Sequence, residues 1–176
     1  FPTLLICMFY CTEVIQSNTF TSTMPGLKNL IYFALLLHSF ANLFSESREE
    51  IIQKGKELYN GAGSCVACHL ADGKGQKGNI PPLAGSEWLK GGSERSIAIS
   101  LRGLAGPIKV NGKKYYAAMP PQLLFDDEKL AYILSYVNNA WGNNEKLITK
   151  EQVAKARQEL PLEVFTPKTL LKKFPP

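Results

Sequence analysis

The chain has 176 residues, 45% of them hydrophobic and 20% charged, proportions that are typical of a soluble globular protein. This length allows one domain with extensions, and such a domain is large enough to enclose a cofactor in a hydrophobic core. The formal net charge is +5, but the lysines are scattered and form no basic stripe with interleaved aromatic residues, so the pattern excludes a typical nucleic-acid-binding protein and favours an acidic protein partner.

Residues 1–45 are typical of a targeting segment, which we call the leader. Met24 and Lys28 precede an apolar run, the order of basic and hydrophobic regions in a secretory signal peptide. We expect translation to start at Met24, residues 1–23 to be upstream sequence, and the leader to be cleaved. The alternative is an uncleaved membrane anchor, but the apolar run at 30–44 is shorter than the roughly 20 residues of a spanning helix.

The first helix of the folded part is predicted to begin at 47–50. The sequence Ser-Arg-Glu-Glu at these positions is a capping box, and apolar residues recur at helical spacing as far as Tyr59. Gly55 lies inside this helix, where glycine costs about 1 kcal/mol relative to alanine. It therefore predicts the close approach of another helix, most simply the one predicted to begin near Asp126. The alternative is that Gly55 marks a helix end.

The most specific pattern in the chain is the pentapeptide formed by Cys65, Val66, Ala67, Cys68 and His69. A C-x-x-C-H sequence is the attachment signature of c-type haem. The two thiols add across the vinyl groups of the porphyrin to give thioethers, and the adjacent histidine can bind the iron. The pattern therefore predicts one covalently bound haem c.

Two other interpretations of this pentapeptide are weaker. A structural zinc site needs about four Cys or His ligands, yet the remaining two cysteines and one histidine all lie in the leader. A thioredoxin-like redox pair lies beside a βαβ pattern, whereas the surrounding sequence predicts a helix, a glycine-rich loop and a second helix.

A short helix and a β-hairpin are predicted between residues 93 and 115. Ser93 can cap the helix, which carries Leu101 and ends near Gly103. The dipeptide Asn111-Gly112 then lies between two β-favouring stretches, and this is the strongest short-range signal for a hairpin. We expect the second strand to lead directly into the loop that contains the next candidate ligand.

Met119 is the candidate for the second axial ligand. If His69 binds one face of the iron, the opposite face needs a ligand, and Met119 is the only methionine after the leader. The alternative is that Met119 fills an irregular gap in the core. Ligation by His and Met raises the reduction potential of a haem and fills both axial sites, which favours electron transfer over reactions with oxygen or peroxide.

The pattern changes after Gly142. The sequence Thr-Lys-Glu-Gln at 149–152 is a second possible capping box, and it opens a short charged helix that runs to Glu159. Several prolines then interrupt a segment that is more apolar than a solvated tail requires. Two outcomes are open for this extension, because it can pack onto the domain or onto a partner.

In their order along the chain, these motifs resemble the class I cytochrome c pattern. The haem motif is highly specific, whereas the flanking positions are individually weak and count because they occur in the right order. The resemblance covers roughly residues 47–142, and the end of that stretch is similar to the last helix of small bacterial domains. It is carried by Gly55-x-x-x-Tyr59, Cys65-x-x-Cys68-His69, Pro81-x-Leu83, Met119-Pro120, Ile133-x-x-Tyr136 and Tyr-Val-Asn-Asn-x-Trp-Gly at 136–142.

The resemblance implies an all-α cytochrome c fold, with three to five helices around one haem and the hairpin before the methionine loop. The carbonyl of Pro81 matches the acceptor for the second N–H of the ligating His69, and Leu83 is expected to pack on the haem. Trp88 is expected to do so too, with its indole N–H free to reach a propionate, although plain core packing is an equal alternative. The expected parts are the leader, a haem domain at 46–142 and an extension at 143–176.

The function expected from these features is periplasmic electron transfer between redox partners by a single His/Met-ligated haem c. The chain is thus predicted to be an electron carrier and not an enzyme, with membrane contact only through an uncleaved leader. One alternative is a haem enzyme or a protein that binds gases or peroxide, which the lack of another histidine after the leader disfavours. Another is a dedicated cytochrome subunit of a dehydrogenase or oxidase.

Overall fold

The computed structural model describes residues 32, 46–61, 65–90 and 92–175. The predicted start site and signal peptide therefore lie outside the described residues, apart from Tyr32. All other described residues belong to one compact unit, Glu46–Pro176. Within the described part of the chain, no helix combines the length and the apolar character that crossing a bilayer requires.

The described residues are mostly helical, as predicted, with a single two-stranded antiparallel sheet. The elements in chain order are α1 (Arg48–Asn60), α2 (Val66–His69), a 3-10 turn (Glu87–Leu89), α3 (Glu94–Arg102), β1 (Ile108–Val110), β2 (Lys113–Tyr115), α4 (Asp127–Val137), α5 (Lys150–Glu159) and α6 (Pro167–Lys173).

Helices α1 and α4 cross at Gly55, which confirms the predicted close approach. A Cβ atom at this position would overlap the carbonyl oxygen of Tyr132 and lie 2.7 Å from the Cβ of Tyr136. Next to the crossing, the rings of Tyr59, Tyr136 and Trp141 pack edge to face, with all three pairs of centroids 5.3 Å apart. Glycine is therefore required here because the two backbones nearly touch.

The predicted hairpin is present at the predicted residues. Strand β1 pairs with β2 in the register that places Ile108 opposite Tyr115 and Val110 opposite Lys113. Asn111 and Gly112 form the turn with φ angles of 47° and 78°. Positive φ at both central residues is the signature of the turn that matches the twist of a two-residue hairpin.

The extension packs onto the domain. One hydrophobic cluster joins α3 and α4 to residues of the extension, including Ile148, Val153, Leu160, Phe165 and Leu170, each of which is at most 7% exposed. Of the two outcomes left open by the sequence, packing onto the domain is the one that the structure shows.

The sequence does not predict helix α6, because the prolines of the segment after Glu159 indicate breaks. Pro167 is instead the first residue of α6, behind a capping box in which the side chains of Thr166 and Thr169 bond each other's backbone N–H groups. Proline is favoured at the first helical position because its missing N–H has no partner to lose there and its φ is already helical. The same residue type that ends one helix therefore begins another.

Candidate functional site

A cavity of about 630 Å³ lies between α3, α4 and the loops that flank them. Its volume falls within the roughly 300–1,000 Å³ that is common for cofactor sites. Its lining brings together every site residue that the sequence predicts, namely Cys65, Cys68, His69, Pro81, Leu83, Trp88 and Met119.

The short helix α2 presents the pentapeptide to the cavity. The backbone N–H groups of Cys68 and His69 both donate to the carbonyl of Cys65, at 3.2 and 2.8 Å. Residues three and four apart lie on one face of a helix, so this single turn directs both cysteines and His69 toward the same side. Both thiols are free, Cys68 is exposed, and burial raises the pKa of the half-buried Cys65.

His69 is held in one orientation by the residues that follow it. Its ring is 7% exposed, and Nδ1 lies 3.2 Å from the carbonyl oxygen of Pro81, the acceptor implied by the resemblance. Burial lowers the pKa of His69, and the Pro81 carbonyl partly opposes that shift. A neutral imidazole that donates from Nδ1 leaves Nε2 as the atom with a free lone pair for a metal.

The loop after His69 folds back on itself through backbone hydrogen bonds. Gly75 donates to the carbonyl of His69 at 3.0 Å, and Leu83 donates to the carbonyl of Gly73 at 2.7 Å. The hydroxyl of Tyr59 donates to the carbonyl of Leu70 at 2.8 Å, and burial raises the pKa of Tyr59 far above its ordinary value. This loop carries Pro81 and Leu83 to the cavity wall.

Two residues that the sequence did not assign to the site clamp this loop from outside. Trp141 donates from Nε1 to the carbonyl of Ala71 at 3.0 Å, and its ring covers Gly73, where a Cβ would lie 2.5 Å from it. The amide of Asn143 donates to the carbonyl of Leu83 at 3.1 Å and accepts from the N–H of Gly85 at 3.0 Å. Trp141 belongs to the family-like ending at 136–142, so only Asn143 lacked any sequence signal.

Met119 reaches the cavity from a loop that is bonded to the end of α3. Its backbone N–H and C=O both pair with Leu104 at 2.9 Å, as an isolated antiparallel bridge. Gln122 donates to the carbonyl of Ser100 at 2.8 Å. Backbone hydrogen bonds to α3 and to the residues that follow it therefore fix where the thioether enters the cavity.

Trp88 lines the cavity, but the expectation of a free indole N–H is wrong. Its Nε1 donates to the carbonyl of Lys109 at 2.8 Å, which ties the 3-10 turn to β1. The guanidinium of Arg95 donates to the carbonyl of Trp88 at 2.9 Å and lies 5.7 Å from the centroid of its ring. The indole is thus available for apolar contact with a cofactor, while its N–H is already bonded.

The rest of the lining is mostly apolar. The apolar residues of α4 that recur at helical spacing line the cavity, a role that the sequence does not assign. They are Leu130, Ile133, Leu134 and Val137. Among the described residues that line the cavity, none is Asp, Glu, Lys or Arg. Two thiols, one imidazole and one thioether within apolar walls form a donor set that fits a covalently attached haem.

The comparisons with known proteins point to the same cofactor, a covalently bound haem. Residues 52–141 match the family model described as cytochrome c. The chain is 38% identical over 112 residues to cytochrome c-552 of Thermus thermophilus, a match that covers 58% of this chain and 83% of that protein.

Two further relatives are named as parts of larger assemblies. The first is the Cbb3-type cytochrome c oxidase subunit FixP of Rhizobium meliloti, with 30% identity over 92 residues that cover 49% of this chain and 31% of that protein. The second is the cytochrome c subunit of a quinone alcohol dehydrogenase of Gluconobacter oxydans, with 30% identity over 93 residues that cover 51% of this chain and 19% of that protein. With the haem motif and the fold, these similarities show that the chain belongs to the cytochrome c family, as a class I c-type cytochrome with one covalent haem c.

Proposed function

We propose that this protein is a periplasmic electron carrier whose single haem c is attached at Cys65 and Cys68 and bound axially by His69 and Met119. Haem-based electron transfer follows from the family. The location and the ligand pair are our proposal. The observation that carries the ligand pair is that His69, at the end of α2, and Met119, in a loop 50 residues later, line the same cavity as both thiols.

Each residue has a separate task in this proposal. Cys65 and Cys68 would hold the haem covalently, because each thiol can add across one vinyl group, with sulfur going to one vinyl carbon and hydrogen to the other. His69 offers the lone pair of Nε2 while the carbonyl of Pro81, 3.2 Å from Nδ1, fixes the ring plane. Met119 offers its thioether, and Leu83 and Trp88 cover the porphyrin. The haem supplies a one-electron iron couple whose potential is raised by His/Met ligation.

The lining of the cavity favours electron transfer over catalysis. General acid–base catalysis needs a positioned titratable side chain near the reacting group. Among the described residues that line the cavity, His69 is the only histidine and no carboxylate or lysine is present. If His69 and Met119 both bound the iron, no ligand position would remain open for a substrate. The apolar lining contains few dipoles that would have to reorient when the charge of the iron changes.

Replacing the thioether tests the ligand pair. Met119→Ala should leave the haem attached, lower the reduction potential, remove the sulfur-to-iron charge-transfer band of the ferric protein and allow carbon monoxide to bind the ferrous protein. Leu123→Ala is the matched control, because Leu123 also lines the cavity but is 73% exposed. A Met119→Ala variant with the spectrum and potential of the wild type would refute the ligand pair.

A dedicated cytochrome subunit of a larger complex is the second candidate. It is favoured by the two relatives named as subunits of an oxidase and of a dehydrogenase. Purification from the native source separates the candidates. A free carrier is released by osmotic shock and elutes near the mass of a single chain, whereas a subunit remains with the membrane fraction and elutes with its partners.

A further inference from the structure

We propose that the extension positions Met119 for iron binding, and that Phe165 is the residue through which it acts. This inference rests on the proposed ligation by Met119. It assigns to residues 143–176 a role in setting the sixth ligand, beyond their contribution to the hydrophobic core. A chain of backbone contacts runs from the extension to the methionine.

Leu104 is the centre of this chain of contacts. On one side it pairs with Met119 through two hydrogen bonds of 2.9 Å. On the other side it forms a parallel bridge with Phe165, in which Ala105 donates to the carbonyl of Phe165 at 2.8 Å and Phe165 donates to the carbonyl of Gly103 at 3.3 Å. Residues 103–105 therefore lie between the methionine loop and the extension and are hydrogen-bonded to both.

The methionine loop is thinly covered and is held mainly by backbone hydrogen bonds, those of Met119 to Leu104, of Ala117 to Asn79 and of Gln122 to Ser100. None of residues 116–124 is buried. The loop lies directly on Gly103, where a Cβ would be 2.7 Å from the carbonyl oxygen of Met119. Any shift of Gly103 or Leu104 is therefore transmitted to Met119 through two hydrogen bonds and a close backbone contact.

Arg102 fastens the same segment to the extension by a second route. Its side chain is 7% exposed and donates to three carbonyls at the end of α5, those of Arg157, Pro161 and Leu160, at 2.7, 2.7 and 3.2 Å. A cationic group at the last carbonyls of a helix also interacts favourably with the helix dipole. The residue immediately before Gly103 is thereby fixed to the extension.

The extension can hold this position because its own anchors are deep in the core. Phe165 is 5% exposed and Leu170 is fully buried. The ring of Phe165 packs edge to face on that of Phe174, with centroids 6.4 Å apart. Removing the Phe165 ring should therefore loosen the backbone bridge to Leu104. Removing the Phe174 ring should cost packing only, because the backbone N–H of Phe174 bonds to Leu170 at the end of α6 and not to residues 103–105.

This difference supplies the experiment, which uses the full-length holoprotein of the wild type, Phe165→Ala and Phe174→Ala. The probe is imidazole, which binds the ferric haem only when Met119 has left. Each variant is studied at the denaturant concentration that gives both variants the same free energy of unfolding. Imidazole should then bind Phe165→Ala about tenfold faster than Phe174→Ala, which corresponds to a difference of about 1.4 kcal/mol in the free energy of releasing Met119. The sulfur-to-iron band should also be weaker in Phe165→Ala alone.

A second pair of variants covers the case in which Phe165→Ala does not fold. Arg102→Lys keeps the charge but loses the fork that spans three carbonyls, and Arg95→Lys is its control. Arg95 is also a buried arginine of α3 with three carbonyl partners, but those partners lie at Glu87, Trp88 and Lys90. Faster imidazole binding is expected for Arg102→Lys only.

The outcomes are distinguishable from failure of the proposed function. If the wild type lacks the sulfur-to-iron band, the ligand assignment fails and this inference fails with it. If the wild type has the band, but imidazole binds Phe165→Ala and Phe174→Ala at equal rates at equal stability, the ligand assignment stands and the positioning role is overturned. Equal rates in the two arginine variants would overturn it in the same way.

Discussion

The two walls of the haem cavity are held in different ways. The wall with His69 is built largely from consecutive residues, since the loop from 70 to 85 bonds back onto itself and onto His69. The wall with Met119 depends on residues far away in the chain, namely Leu104 and, behind it, Phe165. The His69 wall should therefore depend on haem attachment and on its own loop, whereas the Met119 wall should also respond to changes in the extension.

The largest expected effect is at the attachment site. Cys68→Ser should abolish correct haem maturation, because one of the two thioethers cannot form. Mass spectrometry of the purified chain and its optical spectrum measure this directly. Ala67→Ser is the matched control, since it lies between the two cysteines on the same helix and should mature normally. Full haem attachment in Cys68→Ser would contradict the assignment.

The next largest effect is expected where the ring of Trp141 packs on the loop of the His69 wall. Gly73→Ala should lower the free energy of unfolding by about 1–2 kcal/mol for the left-handed backbone and by about 1–3 kcal/mol for overpacking against Trp141. Gly78→Ala isolates the first contribution, because Gly78 has a similar φ, 76° against 65°, but nothing within 4 Å of an added Cβ.

Urea unfolding of the two holoproteins provides the comparison. Gly73→Ala should be the less stable of the two, and only it should disturb the absorption bands that report on the His69 side. Equal losses of stability in both variants would mean that contact with Trp141 does not restrain this wall.

A smaller loss is expected at Asn143, which links the same loop to the end of α4. Its amide donates to the carbonyls of Leu83 and Val137, at 3.1 and 2.9 Å, so Asn143→Ala should cost about 1–3 kcal/mol for buried groups left unpaired. Asn60→Ala is the control, since the exposed Asn60 amide donates to the carbonyl of Lys56 within one turn. Thermal unfolding followed by circular dichroism should show the larger decrease for Asn143→Ala.

The smallest effect is expected at Asp126, which caps α4, the helix behind both walls. A hydrogen bond from the backbone N–H of Lys129 is the main reason that the pKa of Asp126 lies below its ordinary value. A lowered pKa means that the charged form stabilises the fold above about pH 4, and this stability is lost as the pH falls through the folded-state value.

Asp126→Asn removes the charge and keeps a good capping side chain. The wild type should therefore be more stable than Asp126→Asn at neutral pH by about 0.3–1 kcal/mol, the range for an exposed charge at a helix start. That difference should shrink toward zero below pH 4. Unfolding free energies measured at several pH values test this, and a difference that grows on acidification would contradict it.

Features that require a particular residue type could be predicted from the sequence, whereas contacts with backbone carbonyls could not. The pentapeptide at 65–69, the turn at Asn111 and the crossing at Gly55 each depend on residue types that only a few conformations or chemistries accept. The contacts of Phe165 and Asn143 with distant backbone carbonyls need no particular residue type at the carbonyl, so no sequence pattern identifies them. Trp88 shows the same limit, since its partner is the backbone of Lys109.

X-ray absorption at the iron edge of the purified ferric protein tests the central proposal most directly. If His69 and Met119 are the axial ligands, the first shell of the wild type contains one sulfur and five nitrogen atoms, and the sulfur is lost in Met119→Ala. A wild-type first shell without sulfur, or a sulfur that persists in Met119→Ala, would contradict the proposal.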